Sequence, residues 1–247
     1  MLLIYIIIFS LLGGTISVLI ASVFLLFKSE LRKKLVPNLV SFATGTLLTA
    51  AMLGLIPEAL EELTVKETLG TVLIGVFLFF VLEKIVIWRH CHKEGCEVHD
   101  SSGAMILIGD TIHNFADGVV IAASFLISIP VGIVVSLSIM AHEIPQELGD
   151  FAILLHSGYS RKKALLYNIL SGLGSTVGAV IAYFALERVH EALPYVLAIA
   201  ASSFIYVSLV DLSPGLHNNS GLSQSIKQVI LIAAGAATIM FLFQFRH

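Results

Sequence analysis

Polar and ionisable side chains are concentrated in two short segments of a chain that is otherwise largely apolar. Residues 110–118 read DTIHNFADG and residues 142–150 read HEIPQELGD, while residues 119–141 between them carry no charge. Imidazole, carboxylate and amide groups are common ligands of Zn(II), Fe(II) and Mn(II), whereas Cu(I) prefers Cys and Met. The residue types therefore favour a site for a divalent metal ion.

A helical period places the polar side chains of each segment on one side of a helix. Each residue advances by about 100°, so the first set spans an arc of roughly 100° and the second an arc of roughly 140°. The five carboxylates have no Lys or Arg beside them in either segment. Buried anions of this kind must bind a cation, take up protons or face water. The two sets are Asp110, His113, Asn114 and Asp117, then His142, Glu143, Gln146, Glu147 and Asp150.

The composition is that of a polytopic membrane protein. Apolar residues make up 57% of the 247 residues and charged residues 13%, which fits no ordinary soluble protein. The chain has no basic tail or face that would indicate nucleic-acid binding. Its two cysteines, Cys91 and Cys96, lie in one short polar segment, so a disulfide framework is not expected.

About 20 apolar residues are needed to cross a bilayer as a helix. On that basis we predict an all-α fold with eight spans in a single transmembrane domain, residues 1–247. Only residues 128–130 separate the fourth and fifth spans, so these should form a tight hairpin that brings the two polar segments together. The predicted spans are 2–27, 36–57, 68–88, 103–128, 131–156, 164–186, 194–213 and 225–245.

The basic residues alternate between the two sides of the predicted bundle. Eleven of the fourteen Lys and Arg residues lie in or beside the loops that connect spans 1 and 2, 3 and 4, 5 and 6, and 7 and 8. Positive charge marks the cytoplasmic side, so both termini are expected outside the cytoplasm.

The 3–4 connection, residues 89–102, is then a cytoplasmic loop that is rich in His and Cys. It lacks the paired C-x-x-C spacing of a structural zinc site. Transient metal binding and a plain solvated connector both remain open for it. Its candidate ligands are His90, Cys91, His92, Cys96 and His99.

Small residues are dense in the sixth span, where residues 171–178 read SGLGSTVG. Close helix packing is the simpler explanation, although Ser175 could also supply an oxygen to a neighbouring site. We expect Gly118 and Gly149 to allow close helix approach at the depth of the polar segments.

At residues 113–118 and 142–150 the chain resembles the ZIP family of divalent-metal transporters, in the branch with H-N-F-x-D-G and H-E-x-P-H-E-x-G-D motifs. Residues 55–60 and 204–211 resemble family segments of spans two and seven as well. The resemblance implies a ZIP-like bundle that moves zinc and related ions toward the cytoplasm, passively or with protons. It also implies elevator-like alternating access through a site between spans four and five that is often binuclear.

Carried over by position, the resemblance implies a primary metal site and an adjoining one. The primary ligands would be His113, Asp117, His142 and Gln146. Asn114 and Glu143 would form the adjoining site and share Asp117. Further residues near or along the ion pathway are Asp110, Glu147, Asp150, Glu58, Ser175 and Asp211.

Three positions depart from the family pattern. Gln146 stands where the branch usually has His, and a neutral amide is a weaker ligand. Gly54 stands where many members have a His in span two, and Gly215 where an acidic residue is common.

We therefore predict a transporter, not an enzyme, for divalent transition-metal cations: Zn(II) first, with Fe(II), Mn(II) and Cd(II) as further substrates. The metal would be cargo and not a catalytic cofactor. An intramembrane metal-dependent hydrolase is one alternative, but Gln146 leaves H-E-x-x-H incomplete and no G-x-S-x-G is present. A membrane metal sensor without flux is the other.

The expected partners are divalent metal ions and the lipid bilayer, with a homodimer as one assembly to test and no nucleic acid. The compact loops favour a prokaryotic cytoplasmic membrane.

Overall fold

The computed structural model of the chain describes residues 1–91, 99–213, 216 and 221–244. Within these ranges, eight helices are long and apolar enough to cross a membrane, which confirms the predicted number of spans. They are α1 (Leu2–Phe24), α2 (Ser29–Ala50, continued by Ala51–Leu55 and Ile56–Glu62), α3 (Val65–Cys91), α4 (His99–Ile127), α5 (Ile129–His156), α6 (Arg161–Leu186), α7 (Leu193–Tyr206, continued by Val207–Leu212) and α8 (Leu222–Phe243).

The predicted loop at residues 89–102 is shorter in the structure. Helix α3 continues to Cys91 and α4 begins at His99, so both helices extend beyond their apolar runs. Leaving the hydrocarbon does not by itself end a helix, because the backbone hydrogen bonds persist in water. The prediction of metal binding by His90, Cys91, His92, Cys96 and His99 lies outside the described residues and side chains.

The hairpin between α4 and α5 is as tight as predicted. Ser128 alone separates the two helices. It adopts an extended backbone, and its hydroxyl accepts a hydrogen bond from the Val131 amide at 3.3 Å. This is an N-cap, and Pro130 in the first turn of α5 needs no amide partner there. The antiparallel pair therefore sets residues 110–118 beside residues 142–150.

The helices pack in two groups. Helices α1, α4, α5 and α6 contact one another, with α4 against α6 as the most extensive pairing. In the second group, α2 packs on α8 and α7, and α3 packs on α7. The main contact between the groups is that of α5 with α2. Both polar segments thus belong to the first group.

Glycines bring the backbones of α4 and α6 close together. A Cβ added to Gly118 would collide with the Ser175 carbonyl oxygen, and one added to Gly178 with the Phe115 carbonyl oxygen. The packing role predicted for residues 171–178 is therefore confirmed. Gly149 was wrongly assigned such a role, since no described residue of another element lies within 4 Å of its added Cβ.

In the described part of the chain, three helices contain a π-helical turn, at Leu12–Ile16, Ala51–Leu55 and Val207–Leu212. The last two each end at the leucine of a Leu-x-Pro sequence. A proline cannot donate to the carbonyl four residues earlier, and a wider turn accommodates the change of hydrogen-bond register. Asp211 lies in the third π turn, and its side chain is outside the described set.

We expect Gly118→Ala to destabilise the protein, because the added methyl group overpacks the α4–α6 contact. Overpacking costs about 1–3 kcal/mol, which corresponds to a melting temperature lower by roughly 2–12 °C in a protein of this size. Thermal unfolding in detergent, followed by size-exclusion chromatography, measures the change. Gly109→Ala is the matched control on the same helix, since its Cβ meets no described residue of another element within 4 Å. Equal melting temperatures for the two variants would contradict the packing assignment.

Candidate metal centre

Four side chains from the hairpin converge on one point. His113 and Asp117 lie one turn apart on α4, while His142 and Glu143 are consecutive on α5. One ligand atom from each lies within 4.8 Å of the other three. We call these four residues the primary cluster.

The spacing of these atoms suits a tetrahedral ion. His142 Nε2 lies 3.3 Å from Asp117 Oδ2, from Glu143 Oε1 and from His113 Nε2. His113 Nε2 lies 3.3 Å from Glu143 Oε1 and 3.9 Å from Asp117 Oδ2. Ligands about 2.0–2.1 Å from a tetrahedral zinc ion are about 3.3–3.4 Å from one another. Four of these five distances match that value.

A hydrogen bond from the ring nitrogen that faces away from the primary cluster fixes the orientation of the His142 imidazole. Its Nδ1 lies 3.3 Å from the Ser138 carbonyl oxygen, which can only accept, so Nδ1 carries the donated proton. In the neutral ring this leaves a lone pair on Nε2, which faces the primary cluster. The Phe204 ring of α7 packs edge-on against the imidazole, with the ring centres 6.3 Å apart. Sequence reasoning missed both contacts, although Ser138 stands at the i−4 position where such a carbonyl is found.

The electrostatics of the primary cluster require positive charge. His142, Asp117 and Glu143 are almost completely buried, and His113 keeps 20% of its side chain exposed. Neither α4 from residue 106 onward nor α5 contains a Lys or Arg. Only protons or a cation can then balance the two carboxylates. A divalent ion with two carboxylates and two neutral imidazoles has no net charge.

Glu143 also belongs to a second group of ligand atoms. Asp110, Glu143 and Glu147 each place one carboxylate oxygen within 4.8 Å of the others. Asn114 donates from Nδ2 to Asp110 Oδ1 at 3.0 Å and to the Asp110 carbonyl at 3.2 Å. We call the three carboxylates the acidic cluster. This arrangement differs from the division implied by the family resemblance, in which Glu143 and Asn114 shared Asp117.

The remaining predicted residues lie around these clusters or apart from them. Gln146 is half-buried one turn beyond His142, and Asp150 is buried one turn further on. Ser175 is buried on α6, and its hydroxyl has no hydrogen-bond partner among the described residues. Glu58 is buried on α2. In the described part of the chain, neither Glu58 nor Asp150 joins a group of three possible His, Cys, Asp or Glu ligands.

Comparison with known proteins gives a consistent picture. The family profile described as ZIP Zinc transporter matches residues 88–243, which include both polar segments. Zinc transporter ZIP13 of Pongo abelii is 35% identical over 221 residues, which are 83% of this chain and 66% of that protein. Zinc transporter ZIP13 of Mus musculus is 30% identical over 264 residues, covering 89% of this chain and 73% of that protein.

A third relative matches over a shorter stretch. Zinc transporter zipt-7.2 of Caenorhabditis elegans is 41% identical over 133 residues, which are 52% of this chain and 29% of that protein. The chain thus spans less than two thirds of the length of the orangutan and nematode proteins. The three relatives are animal proteins, so they do not bear out the expectation of a prokaryotic cytoplasmic membrane.

We expect Co(II) to bind the purified protein in detergent with the visible absorption of a tetrahedral complex. His142→Ala should lower the affinity by at least about 100-fold, because even the outer partners of a ligand contribute about 10–100-fold. Titration of the absorption band measures the affinity. His190→Ala, which removes an exposed histidine before α7, serves as the control. A His142→Ala protein that binds as tightly as the wild type would exclude His142 as a ligand.

Proposed function

Since this chain belongs to the ZIP zinc transporter family, we propose that it carries divalent transition-metal cations across a membrane. Zn(II) is the first substrate, with Fe(II), Mn(II) and Cd(II) as further ones. One observation carries the proposal: four ligand atoms at tetrahedral spacing converge between two helices that are long and apolar enough to cross a membrane. Two imidazoles and two carboxylates form a donor set that suits these ions.

His113, Asp117, His142 and Glu143 hold the transported ion in this proposal. The two carboxylates neutralise its charge, and the four ligands replace the water that it loses. Gln146, one turn beyond His142, is a further neutral ligand. Because the loaded cluster has no net charge, its passage through an apolar environment costs far less than that of a bare ion.

The division into two packing groups supports alternating access. Both ligand helices belong to the group of α1, α4, α5 and α6, and glycines hold α4 against α6. We infer that this group moves as a unit against α2, α3, α7 and α8. The ion then travels with its ligands from the side of the α4–α5 turn to the side of the α5–α6 turn.

The direction of transport depends on the orientation in the membrane. The distribution of Lys and Arg favours outside termini and a cytoplasmic α5–α6 turn, hence transport toward the cytoplasm. It remains a prediction that both termini lie outside the cytoplasm. The homodimeric assembly and the identity of the membrane are predictions as well.

A hydrolase and a metal sensor without flux differ from a transporter in what the protein does with the bound ion. A hydrolase is set aside, because the family and the relatives above are described as transporters and Gln146 interrupts H-E-x-x-H. A sensor without flux binds metal in the same way and differs only in transport.

We expect proteoliposomes that contain the purified chain to take up Zn(II), as read by an enclosed fluorescent indicator. His113→Ala combined with Asp117→Ala should reduce uptake to the rate of empty liposomes, because half of the primary cluster is lost. Glu191→Gln neutralises an exposed carboxylate before α7 and should transport at the wild-type rate. Unchanged flux in the double variant would exclude the residue assignment. Metal binding by the wild type without any flux would favour the sensor.

We expect Gln146→His to raise the affinity for Zn(II) by about tenfold or more, because an imidazole nitrogen is a stronger ligand than an amide oxygen. Competition with a chelator of known affinity measures this change. Gln146→Asn is the control that keeps an amide and shortens the side chain. An affinity unaltered by the histidine would mean that residue 146 stands away from the ion.

A further inference from the structure

We propose that Asn168 of α6 and Thr15 of α1 line a water-filled release path, which runs inside the packing group of α1, α4, α5 and α6 from the metal site to the α5–α6 end. The proposal rests on the proposed transport function, because it assigns a route to the same ion. Neither residue belongs to the primary cluster, to the acidic cluster or to the segments that resemble family motifs.

The Asn168 amide is buried and has no partner. Asn168 is 0% exposed, and neither its Oδ1 nor its Nδ2 has a hydrogen-bond partner among the described residues. A side-chain amide offers two donors and can accept two hydrogen bonds. Leaving all of them unmade in apolar surroundings is unfavourable, whereas water is small enough and polar enough to satisfy them. The orphaned amide therefore points to bound water.

The neighbours of Asn168 place its side chain in the interior of this packing group. One turn further along α6, a Cβ added to Gly172 would lie 3.1 Å from the Thr15 amide nitrogen of α1. One turn earlier, Ala164 packs with buried residues of α1 and α5. Residues four apart share one side of a helix, so Asn168 faces α1 and α5.

A second orphaned group lies across the contact between α1 and α6. Thr15 belongs to the π turn at Leu12–Ile16, and its hydroxyl is buried without a hydrogen-bond partner in the described part of the chain. Gly172, one turn from Asn168, contacts the backbone of this same π turn. Two unpaired polar groups on facing helices, at nearly the same depth, indicate a shared pocket for water.

Hydroxyl groups connect this pocket to the metal site. Ser171 lies about one turn from Asn168 in the direction of the metal site, and its hydroxyl oxygen is 2.9 Å from the Thr111 hydroxyl oxygen of α4. Thr111 is next in sequence to Asp110, a member of the acidic cluster. Polar side chains therefore follow one another from the acidic cluster to Asn168.

An apolar cluster closes the path between Asn168 and the α5–α6 turn. Its members are each at most 2% exposed, and they are Val18, Phe151, Leu154 and Ala164. An ion crosses an apolar contact of this kind only at a high cost in lost hydration. The path is therefore closed toward the α5–α6 end in this structure, and these four side chains must separate before the ion is released.

Water at Asn168 has a defined role in the proposed transport. An ion in the primary cluster has exchanged its hydration shell for protein ligands, and it must recover water before it leaves at the α5–α6 end. Neutral amide and hydroxyl groups hold water in place without binding the ion as tightly as carboxylates and imidazoles do. Asn168 and Thr15 are thus positioning residues for water and not ligands of the stored ion.

Thiol labelling of the full chain in detergent tests hydration at residue 168. Asn168→Cys is made together with Cys91→Ser and Cys96→Ser, and the probe is a methanethiosulfonate with a permanent positive charge. We expect labelling, followed by mass spectrometry, to be at least about tenfold faster than for Ala182→Cys, because a charged reagent reaches a thiol only through water. Ala182 is the matched control, since it is 5% exposed on the same helix and packs in the apolar core. Adding Phe151→Ala should speed up labelling at residue 168, because it opens the apolar cluster.

Uptake of Zn(II) into proteoliposomes tests the role in release. Asn168→Leu replaces the amide with an apolar group of similar volume. It should lower the maximal uptake rate by about tenfold, which corresponds to the loss of one or two hydrogen bonds to the water of the departing ion. The Co(II) affinity, read from the tetrahedral absorption band, should keep its wild-type value because the primary cluster is intact. Asn168→Ser keeps a group that binds water and should restore most of the rate.

Three results would overturn the release path. The first is labelling of Asn168→Cys no faster than that of Ala182→Cys, and this comparison decides alone if Asn168→Leu does not fold. The second is a wild-type uptake rate in folded Asn168→Leu. The third is loss of Co(II) binding in that variant, which would mean that the amide only supports the primary cluster. Failure of the proposed transport function is distinguishable, because the wild type would then lack Zn(II) uptake while Asn168→Cys is still labelled rapidly.

Discussion

Carboxylates buried without any Lys or Arg beside them set the conditions under which this bundle is stable. Asp117, Glu143 and Glu147 lie between helices whose other contacts are largely apolar, so their charge must be balanced locally. The two imidazoles supply either protons or lone pairs, and the lone pairs become useful only when a cation is present. The same buried carboxylates that are unfavourable when the site is empty make the site electrically neutral when it holds a divalent ion. Metal binding and the tolerance of the bilayer interior for these residues are thus two aspects of one charge balance.

The rest of the fold holds the ligand side chains in the positions that this charge balance requires. A hairpin with a single connecting residue sets the two ligand helices side by side, and a glycine-lined contact holds α4 against α6. Ser138 and Phe204 act on His142 from two sides, the first through a hydrogen bond and the second through a ring contact. The ligands therefore stand at nearly the spacing that a tetrahedral ion requires, and little reorganisation is needed on binding.

Much of this arrangement could be predicted from the sequence, because it depends on patterns with a clear physical basis. The apolar runs indicated eight spans, and the brevity of residues 128–130 indicated the hairpin. The helical period placed His113 and Asp117 on one side of α4. The period could not show how far α5 is rotated toward α4, and this rotation brings Glu143 Oε1 to both imidazoles. The π turn at Leu12–Ile16 has no proline after it that could have predicted it, and Gly149 shows that a glycine in a helix need not mark a contact.

The single residue between α4 and α5 also limits how the primary cluster can open. With only Ser128 as a connection, neither helix can slide along its axis by even one turn, about 5.4 Å, without pulling the other with it. A gate that worked by sliding His113 past His142 along the helix axes would need slack that this turn lacks. The α4–α5 hairpin therefore keeps the axial register of its two helices. In the proposed alternating access, the helices of the second group slide past the α4–α5 hairpin, while the axial register of its two helices is kept.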